Sequence, residues 1–230
     1  MKILNGVAIA ACVMLLSACF NTDIDNYDGP NASIEGQVID NVTGEGIQTE
    51  QPNGFRVRLI ESGYVNVIPI DFWGKADGSF RNTQLFKNDY RVIPIEGPFV
   101  MPDTARITIS GATEVSFTVT PFATVHASTP RVVGKNVVVD YTLTKPGSVS
   151  QKLTRSVTVV AKVPAVSNAV NDANVSHDLG GLDYAAIAAT TFSDTLKNLP
   201  SGKHFVRVGT RTDNSQGKYN YSKVFEVNIP

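Results

Sequence analysis

Apolar residues recur at every second position along most of this chain, in short runs separated by turn-forming clusters. Ile34, Gly36 and Val38 fall on one face of the first run and Glu35 and Gln37 on the other, the pattern of a half-buried strand. Turn chemistry follows in Asn41-Val42-Thr43-Gly44-Glu45-Gly46. Phe55, Val57 and Leu59 then alternate with Arg56 and Arg58, and Val65 to Phe72 predicts a third strand. Asp77-Gly78-Ser79-Phe80 carries the Asp-Gly signal of a tight turn entering a short strand, and Asp89 to Pro94 predicts another. After a loop holding Pro98 and Pro102, Ala105–Ser110 and Val115–Thr120 complete a set of roughly seven strands, as an antiparallel sandwich requires.

Pro121 to Pro130 marks a boundary, after which a second series begins. Val137, Val139, Tyr141 and Leu143 share one face of Asn136–Thr144, and Ser156–Val163 is a β-branched strand. Pro164 to Tyr184 is aperiodic and rich in Asn, Asp, Ala and Gly. It reads either as a surface insertion or as the approach to a short helix around Tyr184–Ala189. Thr191–Leu196 and His204–Thr210 predict strands, and Tyr221–Ile229 predicts the last. The expectation is an all-β protein of two antiparallel β-sandwich domains in tandem, over 32–121 and 122–230.

The first residues follow a different rule. Ile3 to Leu16 is almost entirely apolar or small but is shorter than the ~20 residues a membrane-spanning helix needs, so residues 1–18 read as a signal peptide. Leu16-Ser17-Ala18-Cys19 resembles the lipobox of bacterial lipoproteins, which implies that Cys19 is lipidated and becomes the first residue of the mature chain. Residues 19–31 read as a polar tether with Asp23, Asp25, Asp28 and Gly29-Pro30, able to span about 20 Å as a coil. Acidic residues soon after such a cysteine resemble surface-export signals of Bacteroidota lipoproteins. That likeness implies an outer-membrane, lipid-anchored protein exposed at the cell surface, with the periplasmic face as the other placement.

The strand words carry further resemblances. Ile34-Glu35-Gly36-Gln37-Val38-Ile39-Asp40, Thr43-Gly44-Glu45-Gly46-Ile47, Val57-Arg58-Leu59, Asp77-Gly78-Ser79-Phe80 and Tyr90-Arg91-Val92 look like the carboxypeptidase-regulatory-like, transthyretin-related sandwich, whose members are usually non-catalytic accessories. Leu199-Pro200-Ser201-Gly202-Lys203-His204-Phe205-Val206-Arg207-Val208 resembles the penultimate turn and strand of a fibronectin type III-like domain. With the Asp25-Asn26-Tyr27 tether, the layout resembles a Bacteroidota lipoprotein family of uncharacterised function. The kinship implies a setting in nutrient uptake, where an outer-membrane transporter works with a glycan-binding lipoprotein.

Composition narrows the chemistry. The two cysteines are Cys12 and Cys19, so a mature chain acylated at Cys19 has no thiol and no disulfide, and rests on packed cores. A formal net charge of −1 offers no basic face for nucleic acid. His126, His177 and His204 lie far apart and outside zinc-ligand spacing, which points to no metal. His204 reads as a surface or rim residue at the start of a strand. His177 beside Asp178 is the one general-base candidate with a carboxylate neighbour, but adjacent residues rarely face each other and no nucleophile motif accompanies them. The transthyretin likeness suggests hydroxyisourate hydrolysis, but that family ends in Tyr-Arg-Gly-Ser and this chain ends Asn228-Ile229-Pro230. No phosphate cradle is present, and the expectation is no catalytic residue and no cofactor.

Aromatic residues remain. Phe72 and Trp73 are adjacent on a predicted strand and point to opposite faces. Either both pack at the core and its rim, or one forms a flat platform for a sugar ring. Tyr219 and Tyr221 raise the same question on the last hairpin. Asp103-Thr104-Ala105 and Asp194-Thr195-Leu196 resemble O-glycosylation acceptors. Three functions follow: an accessory lipoprotein that binds glycan or assists an uptake complex, a structural spacer or protein-interaction module, and an enzyme, for which the residues argue least.

Overall fold

The computed structural model describes residues 28–230, so Cys19, the stretch read as a signal peptide and most of the stretch read as a tether lie outside the described residues. The first half holds β1 (Ala32–Asp40), β2 (Arg56–Glu61), β3 (Ile70–Trp73), β4 (Ser79–Leu85), β5 (Asn88–Ile95), β6 (Phe99–Val100), β7 (Ala105–Ile109) and β8 (Ala112–Pro121). They form two four-stranded sheets, ordered β4-β1-β8-β6 and β3-β2-β5-β7. Alternation explains the packing. Ile34 and Val38 from β1, Phe55, Val57 and Leu59 at β2, and Phe80, Tyr90 and Phe117 turn inward to one core. Each such side chain contributes about 1.5–3 kcal/mol through burial. One pairing departs from the antiparallel expectation. β1 and β8 run parallel, Ser33–Asp40 beside Ala112–Val119, because both start from the same end and the whole intervening sandwich serves as their crossover.

The second half holds β9 (Thr124–Ala127), β10 (Arg131–Val133), β11 (Asn136–Thr144), β12 (Leu153–Ala161), β13 (Ala173–Asp178), the short helix α1 (Tyr184–Ala188), β14 (Phe192–Leu196), β15 (Gly202–Thr212), β16 (Tyr219–Tyr221) and β17 (Phe225–Ile229). One sheet runs β10-β11-β14 with β9 also on β11, and the other runs β13-β12-β15-β16 with β17 also on β15. Val137, Val139, Tyr141 and Leu143 of β11 point into a second core with Val160, Val206 and Val208. The protein is all-β, with helix confined to one short turn among the described residues.

Several elements differ from expectation. The strand predicted over Val65–Phe72 is only Ile70–Trp73, and Val65 and Ile68 are 98% and 87% exposed. Pro69 supplies no N–H to the ladder, so pairing starts after it. The Pro121–Pro130 boundary contains β9, paired with Tyr141–Thr144. The aperiodic stretch before Tyr184 contains β13, an edge strand whose half-exposed alternation hid its period. The last predicted strand is two strands, β16 and β17. Both pair with β15, and between Tyr221↔Gly209 and Phe225↔Val206 the outer strand carries one extra residue. That bulge turns the Ser222 carbonyl toward Arg207, whose Nε donates to it at 2.7 Å.

Candidate functional site at the seam of the two sandwiches

Trp73 ends β3, the edge strand of its sheet, directly opposite Arg56 of β2. The strand's two-residue period separates the neighbouring aromatics. Phe72 is half-buried against the first core with its ring 6.3 Å from Phe80, whereas Trp73 is 45% exposed on the outer face. Gly74 fixes the exit from the strand. A Cβ there would lie 1.9 Å from the Phe55 ring, and the Gly74 N–H donates to the Phe55 carbonyl at 3.0 Å.

Charged groups surround the indole. The Arg56 guanidinium carbon and the Lys218 ammonium each lie 5.5 Å from its ring centroid, a cation–π distance for both. Lys218 belongs to the second sandwich, between β15 and β16, and also donates to the Asn53 carbonyl. Arg56 donates to Glu96 through Nε at 2.7 Å and again through Nη2, and its Nη1 is 3.4 Å from Asp71. Arg58 grips Asp71 with two bonds of 2.8 and 2.7 Å. The hydrogen bonds from Arg58 hold the Asp71 carboxyl below the usual carboxylate range, and those from Arg56 do the same for Glu96. The result is an exposed apolar ring bordered by fixed donors and ionised acceptors.

Tyr219 and Tyr221 do not form a second platform. They are 4% and 5% exposed, stacked with centroids 5.7 Å apart, and pack on the outer face of β12. The Tyr221 ring packs directly on Gly209, where a Cβ would lie 2.5 Å from it. Arg207 lies over that ring at 4.4 Å and is 1% exposed. Besides Ser222, it donates to the Thr49 carbonyl at 2.7 Å and to Gln48 Oε1 at 3.3 Å, both in the first sandwich. Burial lowers the Arg207 pKa to about 10 and raises that of Glu50, whose carboxylate accepts from the Tyr221 hydroxyl at 3.3 Å. Asn220 completes the joint, donating to the Pro98 carbonyl at 2.9 Å. These side chains bind one sandwich to the other, and their rings are covered. Beside the joint runs a groove of about 460 Å³ lined by Asp40, Glu45, His126 and Lys223 among others.

The histidines fall in three settings. His204 is 1% exposed, contrary to the rim expectation, with Nδ1 3.0 Å from the Gly202 carbonyl, because its face of β15 points into the second core. His126 is exposed and bonds Thr144. His177 meets Asp194 rather than Asp178, Nε2 to Oδ1 at 2.6 Å, and the other oxygen of Asp194 accepts from Thr158 at 2.6 Å. Asp194 and Thr158 are buried, so this group cross-links β12, β13 and β14 inside the second sandwich. No local pattern flags Asp194, which lies on a different strand from its partners. Of the two glycosylation-like triplets, Asp103-Thr104 is exposed while Asp194 is enclosed. Among the described residues no group of three His, Cys, Asp or Glu side chains could hold a metal ion.

Comparison with known proteins adds kinship. Residues 32–120, which span β1 to β8, match the family model described as the N-terminal domain of DUF3823, a protein of unknown function. No curated protein matches the sequence. A crystal structure of a DUF3823 family protein from Bacteroides uniformis superposes with TM-score 0.77 at 27% identity, covering 87% of this chain and 100% of that one. A second protein from that species, named for carbohydrate binding as a supposed role, superposes at 0.68 with 21% identity and the same coverage. A DUF3823 family protein from Parabacteroides merdae gives 0.65 at 20% identity, again over 87% of this chain and 100% of its own. This chain is thus similar to DUF3823 proteins of Bacteroidales, and shares their all-β fold over both halves.

Proposed function

We propose that the protein is a non-catalytic cell-envelope lipoprotein of the DUF3823 kind that binds glycan at the Trp73 site. The observation that carries this reading is the 45% exposed indole set among Arg56, Asp71, Glu96 and Lys218. A pyranose has an apolar C–H face and a rim of hydroxyls. An aromatic ring suits the face, and ion-paired carboxylates and guanidinium groups suit the rim. The name of the second B. uniformis structure is consistent with this reading.

Anchoring through Cys19 at the outer membrane, with the sandwiches at the cell surface and an uptake transporter as neighbour, belongs to the same proposal. So does kinship of the first sandwich with carboxypeptidase-regulatory-like domains and of the second with fibronectin type III-like domains, which rests on the strand words quoted above. The non-catalytic reading is supported by the enclosure of Asp194 and Thr158 beside His177: the one histidine–carboxylate–hydroxyl set among the described residues serves as a packed cross-link.

A second reading, a rigid spacer or interaction module, draws on the buried Arg207 joint, which ties the two sandwiches together. Binding of the chain from Phe20 onward to xylan, mucin and yeast mannan decides between them. Saturable binding lost in Trp73→Ala, with unchanged thermal stability, is the expected result. No binding to any of the three favours the spacer.

A further inference from the structure

The end of the first sandwich farthest from the seam has its own surface. The loop from Ser62 to Pro69 leaves β2 and exposes Tyr64 by 65%, Val65 by 98% and Ile68 by 87%. The Asn88 side chain ties this loop to the β4–β5 turn through Glu61 and the Ser62 carbonyl, and Phe86 on that turn is 48% exposed. Side chains so apolar and so open at a loop tip contribute nothing to the core, and clustered they mark an interaction surface.

Two further features identify the partner. First, Arg91 and Arg106 stand directly opposite each other on β5 and β7 and line a cleft of about 500 Å³ with Tyr64, Val65, Pro69 and Glu61, whose carboxylate accepts from Asn88. Like charges so placed repel, and among the described residues neither has a carboxylate at ion-pair distance. An anion between them relieves that repulsion. Second, the chain begins β1 at this same end: Ala32 pairs with Leu85, next to Phe86, and the Ser33 N–H donates to Gly111. Ala32 is thirteen positions after Cys19, so the length of the backbone keeps the two within about 45 Å. β1 then carries the chain about 26 Å further, to the seam.

We infer that this end docks on the anionic surface of the lipid bilayer, with Tyr64, Val65, Ile68 and Phe86 in the headgroup–acyl boundary and Arg91 and Arg106 on headgroup phosphates. Apolar tips beside cations are the pattern of peripheral membrane contact. The inference rests on the Cys19 anchor reading for its setting. It makes the anchor one of two attachments and turns the Trp73 site outward from the membrane.

Vesicle sedimentation of the unlipidated chain, residues 20–230, tests the surface without the anchor. This chain keeps the compact body 31–230 intact. The probes are vesicles of phosphatidylglycerol with phosphatidylethanolamine and vesicles of phosphatidylcholine alone. The chain is expected to sediment with the anionic vesicles. Val65→Asp with Ile68→Asp should weaken this at least about tenfold while leaving the melting temperature unchanged, since both side chains are exposed. Arg91→Gln with Arg106→Gln should abolish the preference for anionic over neutral lipid. A chain that stays in the supernatant with anionic vesicles, or a loop variant that sediments like the parent, overturns the proposal. Palmitate labelling of the full chain and of Cys19→Ser tests the anchor separately.

Discussion

The two ends of the first sandwich share one pair of sheets and differ in what their exposed apolar groups touch. At the seam end, Trp73 has Arg56 and Lys218 over its ring, and a chain of ion pairs fixes its neighbours. At the far end, Val65 and Ile68 stand almost wholly in solvent, and the nearby Arg91 and Arg106 face each other across the sheet. An exposed ring held by charged neighbours is preorganised for a small polar ligand with an apolar face. Exposed aliphatics on a loop select little by shape, and suit a broad apolar surface. On the two proposals above, the same fold offers a site for recognition at one end and a surface for adhesion at the other.

Four perturbations sharpen this comparison. The largest effect is expected from Arg207→Met, which leaves the Thr49 and Ser222 carbonyls without their buried donor. A loss of about 3 kcal/mol in urea unfolding, with weakened glycan binding as Lys218 and Trp73 separate, would show that the seam depends on this joint. Gly209→Ala comes next, because its methyl collides with Tyr221. The expected loss is about 1–3 kcal/mol by the same measurement, with vesicle binding at the far end unaffected.

Asp71→Asn should cost less, under about 1 kcal/mol at neutral pH, as solvent-screened pairs do. Here the sign of the pH dependence is informative. Asp71 and Glu96 both titrate below their ordinary values of 3.8 and 4.5. Their stabilisation is therefore fully present above about pH 5 and disappears as pH falls through the lowered folded-state values. Urea midpoints from pH 6 to pH 2.5 should fall less steeply for Asp71→Asn than for the parent. The smallest stability effect is expected at the far end, where Val65→Asp should change unfolding by no more than about 0.5 kcal/mol. If it destabilises by several kcal/mol, the loop packs against something and is not a docking surface.

Much of the fold was legible in the two-residue period. Asn136–Thr144 folds as one strand with those bounds, and Phe55, Val57 and Leu59 turn inward as their alternation with Arg56 and Arg58 requires. Alternation reports which face is buried only when the other face meets water. Arg207 is therefore unmarked by the pattern, since its face of β15 is covered by the first sandwich and not by water. Tyr219 and Tyr221 mislead for the same reason. Trp73 was readable as one of an adjacent pair, but its neighbours Glu96 and Lys218 arrive from distant segments and leave no local mark. Val65 to Ile68 shows the opposite failure: apolar composition suggested a strand, while Pro69 and the exposed loop show those residues to have no place in the core.

The most direct test of the two-ended account is a crossed binding measurement on one preparation of residues 20–230. The parent, Trp73→Ala and the Val65→Asp, Ile68→Asp double variant are each titrated with the polysaccharide panel and with anionic vesicles. The account predicts that Trp73→Ala loses polysaccharide and keeps vesicles, while the loop variant loses vesicles and keeps polysaccharide. A single substitution that removes both activities, or two that remove neither, would contradict it.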